Sequence, residues 1–137
     1  MIDKKELRVG NLVKYIGKKH WFHGSIIEVD EIGDDGINIE WMHEMSGWEY
    51  SYKEIEPIEL NKEWLERLGF VATKKDIFEI NRLRLWLGNG CLCYLIDEDN
   101  GDGHYLPNGI INHVHQVQNL YYWLHNEELT IKEPIHG

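Results

Sequence analysis

The stretch HVHQVQNLYYWLHNEEL, His113 to Leu129, constrains this 137-residue chain most. Ile110, Val114, Val117, Tyr121 and Leu124 recur at steps of four, three, four and three. That spacing puts them on one stripe of an α-helix. Leu120 broadens the stripe and Trp123 sits at its margin. Gln116, Gln118, Asn119, Tyr122 and Asn126 fall on flanking or outer faces. The chain must therefore offer an apolar sheet for this helix to cover, and Asn112 is the expected N-cap.

Upstream, the periodicity is that of short strands. LVKYI, Leu12 to Ile16, follows the turn signal Gly10-Asn11. WFHGSIIEVDEI, Trp21 to Ile32, is interrupted by Gly24. GINIEWM puts Ile37, Ile39 and Trp41 on one face, after the turn Asp34-Asp35-Gly36. WEYSY, Trp48 to Tyr52, is another short strand. These four or five strands imply a small, strongly curved antiparallel sheet of SH3-like architecture. EPIELNKEWLERLGF then reads as a linking helix, capped by Asn61, facing inward through Trp64, Leu65 and Leu68, and stopped by Gly69. The second half returns to strands at DIFEIN and LRLWLG. The Asn89-Gly90 hairpin signal joins these to CLCYLI.

The expected fold is α+β. A barrel-like β subdomain spans residues 1–56. An α+β subdomain spans 57–137, with a helix at 61–69, strands over about 76–97 and a helix at 112–126.

Charge narrows the partners. The formal net charge is −10. Six bases against Asp3 and Glu6 leave residues 1–20 at +4, while residues 28–66 hold thirteen carboxylates against Lys53 and Lys62. Phosphate binding needs clustered Lys and Arg, so an acidic body disfavours direct nucleic-acid binding. It favours a basic partner. No apolar run is long enough to span a bilayer, and MIDKKELRVG has no signal-peptide core, so the expectation is a cytoplasmic protein without membrane attachment. Cys91 and Cys93, two apart in a strand, suit two small thiols better than a disulfide or a zinc pattern.

Catalytic patterns are weak. There is no glycine-rich phosphate loop and no nucleophile elbow. His113 and His115 diverge on a helix and cannot share a metal there. DEDNGDG departs from a calcium loop at its fifth and twelfth positions. The expectation leans away from an enzyme, with no cofactor, no metal and no catalytic residue assigned. The candidate binding residues are the aromatics Trp41, Trp48, Tyr50 and Tyr52 with Glu40, Glu44 and Glu49 beside them, and the helix residues His115, Gln116, Asn119 and Tyr122.

Three blocks carry a resemblance. Leu7, Arg8, Gly10, Asn11 and Val13 form an L-R-x-G-N-x-V opening. Pro57, Ile58, Leu60, Trp64, Leu65, Gly69 and Phe70 form a central P-I-x-L-x-x-x-W-L-x-x-x-G-F run. His115, Gln116, Gln118, Asn119, Leu120 and Tyr121 form an H-Q-x-Q-N-L-Y ending, followed by Glu127-Glu128-Leu129. In this order they resemble a family of small uncharacterised proteins from phages and mobile elements of gut Bacteroidota. Trp123, His125 and Asn126 depart from the pattern, where small residues and a glycine are usual. The resemblance implies an accessory role inside a bacterial host. The functional expectation is a non-catalytic protein that binds and modulates a host protein, in a counter-defence role, through an acidic, aromatic surface. The alternatives are a protein that sequesters a nucleotide signal and a weak metal-dependent enzyme. Homo-oligomers are compatible with either binding role.

Overall fold

A computed structural model describes residues 2–18, 23–38, 50–88, 90–96, 103–129 and 131. The fold is α+β, with mainly antiparallel strands and one long helix near the C-terminus. It divides into two compact units. Met1–Ile58 groups with His113–Leu120, and Glu59–Asn112 groups with Tyr121–Pro134.

The first unit is a ring of short strands. β1 (Leu12–Tyr15) pairs antiparallel with β2 (Ile26–Glu28) on one side and β6 (Ile55–Glu56) on the other. β2 runs through Val29 and Asp30 into β3 (Glu31–Ile32), which pairs with β4 (Gly36–Asn38), and β4 with β5 (Tyr50–Ser51). A 3-10 turn, Tyr52–Glu54, then leads β5 into β6, so the strand order returns to β1. Ser51 and Glu54 fix that turn by a reciprocal capping box. The ring encloses Val13, Tyr15, Ile27, Val29, Ile37, Tyr50 and Ile55, with Ile2 and Leu7 from the N-terminal segment. Two three-stranded antiparallel sheets thus stand where the turn spacing predicts short, strongly curved strands.

Gly36 is where the ring is tightest. A Cβ there would collide with the carbonyl oxygen of Tyr50, which is backbone and cannot rotate aside.

The second unit begins with α1 (Lys62–Arg67). The Asn61 side chain accepts from the Trp64 amide at 2.9 Å, the N-cap the sequence implies. Both bonds of a Schellman ending are present: Gly69 N–H to the Glu66 carbonyl and Phe70 N–H to the Leu65 carbonyl. Gly69 takes the left-handed φ of 99° that this ending requires. The helix thus stops at Arg67, two residues short of the expected 69, because Leu68 and Gly69 form its cap.

A five-stranded antiparallel meander follows: β7 (Val71–Lys74), β8 (Ile77–Ile80), β9 (Leu83–Gly88), β10 (Gly90–Ile96) and β11 (Gly103–Ile111). Leu83 and Leu85 are buried while Trp86, on the opposite face of β9, is exposed, the alternation of a sheet with one covered face. Asn81 and Arg82 both take positive φ, giving the two-residue hairpin from β8 to β9 a primed-turn backbone. The strands begin at Val71, five residues earlier than expected, because β7 is a short, exposed edge strand without apolar alternation. The expected turn residue Asn89 and the loop 97–102 lie outside the described residues. Cys91 and Cys93 fall two apart in β10, as expected, and their side chains lie outside the description.

The last element, α2 (Val114–His125), starts in the first unit and ends in the second. The sequence had assigned it wholly to the second sheet. Its first half instead groups with the N-terminal strands, and Val114 and Val117 are fully buried. The N-cap position is His113, one residue after the expected Asn112. His113 offers its carbonyl to the amides of Gln116 and Val117.

Gly36→Ala is expected to lower the stability of the first unit by about 3 kcal/mol, the upper range of overpacking. Urea unfolding followed by near-ultraviolet circular dichroism reads this. A shift within about 0.5 kcal/mol, the range of a neutral surface change, would contradict the close approach of β4 and β5.

Candidate functional site

α2 carries most of the chain's distinctive side chains, and its two halves differ chemically. The first half is a hydrogen-bonded clasp on the N-terminal turn. The Gln118 Oε1 accepts from the Leu12 amide at 2.8 Å, and its Nε2 donates to the Gly10 carbonyl at 3.1 Å. The Asn119 Oδ1 accepts from Asn11 Nδ2 at 2.7 Å and from Arg8 Nε at 3.2 Å, while its Nδ2 donates to the Glu6 carbonyl at 2.7 Å. Asn11 in turn accepts from the Arg8 amide at 2.7 Å. A carboxamide donates from its nitrogen and accepts at its oxygen, so two adjacent amides satisfy backbone groups of both signs. Asn11 and Gln118 are buried, as these bonds permit. The opening and ending blocks of the sequence are therefore one interaction. Gly10 makes the turn possible with a φ of 98°.

His115 lies on the same half and is 2 % exposed. Among the described residues neither ring nitrogen has a hydrogen-bond partner. The Glu6 Oε1 stands 3.9 Å from Nε2, too far for a hydrogen bond, and the His113 ring stacks at 5.8 Å between centroids. Burial holds the His115 imidazole below its ordinary pKa, Glu6 pulls it up and His113 presses it down.

The second half of α2 is exposed and amphipathic. Trp123 is 75 % exposed and Tyr122 37 %. Glu127 and Glu128 follow, both exposed. Asn126 closes the helix with φ 54°, a left-handed position that glycine or asparagine fills. Tyr121 is buried, receives a hydrogen bond from Asn81 Nδ2 and lies against the His125 ring. An open cavity of about 400 Å³ adjoins it, lined by Leu68, Ile80, Asn81, Tyr121, Glu127, Glu128 and Leu129.

The expected binding residues are placed unevenly. Glu40, Trp41, Glu44, Trp48 and Glu49 lie outside the described residues. Tyr50 is 2 % exposed and belongs to the core, so it presents no surface to a partner. Burial, then the Tyr15 phenol and the Glu54 carboxylate, push its hydroxyl pKa up to about 12. Tyr52 is half-buried against the same core and donates its hydroxyl proton to the Gly33 carbonyl at 2.7 Å. His115 is buried, contrary to a contact role. Gln116 is half-buried, and its Oε1 accepts from the His113 amide at 3.0 Å, which caps α2. Asn119 serves the clasp, and Gln118, expected on an outer face, is buried in it. Tyr122 alone of the described candidates is exposed as a surface residue should be. Trp123 is the residue the sequence reading missed. The signal was the run Tyr121-Tyr122-Trp123, since three adjacent aromatics on a helix cannot all face one side.

The acidic segment is partly engaged. Asp34 pairs with Lys4 at 3.6 Å and Glu56 with Lys14 at 3.9 Å, while Glu54 accepts from the Ser51 amide. Glu28, Glu31, Asp34 and Asp35 are exposed on the first unit, and Glu59, Glu63 and Glu66 on the second. Among the described residues no cluster of histidine, cysteine and carboxylate side chains has the geometry of a metal site. No helix among them is long and apolar enough to cross a membrane.

No protein-family model, curated protein or solved structure matches this chain.

Gln118→Ala is expected to cost about 2–3 kcal/mol, because it strands the buried Leu12 N–H and the Gly10 carbonyl. The double change of Gln118→Ala with Asn119→Ala is expected to cost less than the sum of the single changes. Chemical denaturation of the single and double variants measures both. A loss under about 0.5 kcal/mol for Gln118→Ala would mean that water replaces the clasp without penalty.

Proposed function

We propose that this chain is a non-catalytic accessory protein of phage or mobile-element type that binds a host protein. The contact surface is the exposed end of α2. The observation that carries this reading is Trp123, three-quarters exposed and followed within a turn by Glu127 and Glu128. A tryptophan left in water at the end of a well-buried helix supplies a large apolar area to whatever covers it. Carboxylates beside it favour a basic partner and raise the rate of encounter. This keeps the acidic, aromatic surface that the sequence suggests and moves it from the WEYSY segment to α2.

The three resemblance blocks support the accessory-protein reading from another side. In this chain their residues cap, clasp and fill the core. Trp123 stands where the chain departs from that common pattern, the place for a partner-specific contact. Cytoplasmic residence in a bacterial host and a counter-defence role belong to the same proposal. The nucleotide-sequestering alternative gains nothing from the cavity beside Tyr121. Its lining carries two carboxylates and no lysine or arginine, which opposes a phosphate.

The test compares proteins retained from host lysate by the wild type and by Trp123→Ser. One host protein is expected on the wild type and absent from the variant. Its affinity for purified Trp123→Ser should fall by at least about tenfold, as for an aromatic anchor. Binding should weaken as salt rises from about 0.05 to about 0.5 M. The variant should unfold within about 0.5 kcal/mol of the wild type, as an exposed substitution does. Identical retained sets from both proteins, or turnover of a substrate by the purified chain, would contradict the reading.

A further inference from the structure

His115 is not explained by packing alone. It is a polar ring, 2 % exposed, with neither nitrogen hydrogen-bonded among the described residues, in a half-helix whose other buried polar side chain, Gln118, bonds through both its oxygen and its nitrogen. Burying an unpaired polar group costs free energy that a leucine or phenylalanine there would not. We propose that His115 is a proton-operated latch: when its imidazole takes up a proton, the first half of α2 lets go of the N-terminal turn.

The geometry decides the direction. A charged imidazolium at this position would be buried, and among the described residues the nearest acceptor is the Glu6 carboxylate, 3.9 Å from Nε2. It would sit in the first turn of α2, where the free backbone N–H groups already present positive charge. The stacked His113 ring adds a second titratable group of the same sign. Glu6 is the counter-charge, on the 3-10 turn Lys4–Glu6, but its side chain is half exposed and stops 3.9 Å short. Among the described residues Glu6 and His113 are the titratable groups that act on the ring.

Glu6 belongs to the clasp through its main chain, since its carbonyl accepts from Asn119 Nδ2. For the ring to reach water, α2 must lift, and that movement breaks the clasp. The imidazole is held below its ordinary value when folded, so the unfolded or released chain binds more protons. The stabilisation is therefore complete above about pH 6.5, the ordinary histidine value, and is lost as pH falls below it.

The test is amide hydrogen exchange on the full chain at about pH 7.5 and about pH 5.5, corrected for intrinsic rates, with a ring titration of His115 by NMR. On acidification, protection of the Leu12 amide and of residues 117–120 is expected to fall at least about tenfold, while β8 and β9 of the second unit keep theirs. His115→Phe removes the proton site and should abolish the change. His115→Gln serves the same purpose if the phenylalanine overpacks. Glu6→Gln should deepen the acid effect, since it removes the one opposing charge. Unchanged protection in the wild type, the same loss in both His115 variants, or a His115 midpoint above 6.5 with protection gained in acid would overturn the proposal.

Discussion

Two neighbouring carboxamides hold the first unit together. Gln118 and Asn119 reach back more than a hundred positions to the turn at Arg8–Leu12 and there satisfy backbone groups that a 3-10 turn and a strand start leave unpaired. Without the Gln118 side chain the Leu12 amide would be buried and empty, a cost of a few kcal/mol in a domain whose net stability is itself small. The strand ring is short in every member, so it has little ladder hydrogen bonding to spare. The clasp turns a marginal ring into one closed by a helix from the far end of the chain.

This shifts where function should be sought. The three motif blocks of the sequence are the ones that fold it. Arg8, Gly10 and Asn11 meet Gln118 and Asn119. Asn61, Trp64, Leu65, Gly69 and Phe70 start, bury and end α1. These residues are spent on structure. The proposed recognition surface lies outside them, at the outward tryptophan of α2, its neighbouring tyrosine and the two glutamates after it. His115 belongs to neither group, which is why its empty ring nitrogens invite a role of their own.

Local signals were legible in the sequence, and long-range ones were not. The Asn61 cap, the Gly69 stop, the alternation in LRLWLG and the tight turns around a small sheet each depend on residues a few positions apart, and each stands where the pattern puts it. The division of α2 could not be read the same way. An apolar stripe says that a helix is covered and not by what, so Val114 and Val117 were assigned to the nearer sheet. The polar positions failed for a related reason. Gln118 looks like a solvated flank until the turn that fills its amide is brought beside it. Tyr50 and Tyr52 look like a binding face because alternation cannot tell the inside of a ring from its outside. Trp123 could have been found from the sequence, by noticing that an inward Tyr121 forces its neighbours outward.

Native-state hydrogen exchange at neutral pH tests the clasp most directly. If the two amides close the first unit, the Leu12 N–H and the amides of residues 117–120 open together, with one free energy and one response to denaturant. That common opening should vanish when Gln118 and Asn119 are both replaced by alanine. A Leu12 amide that exchanges at the rate of an unprotected chain, while β1 and α2 stay fully protected, would contradict the account.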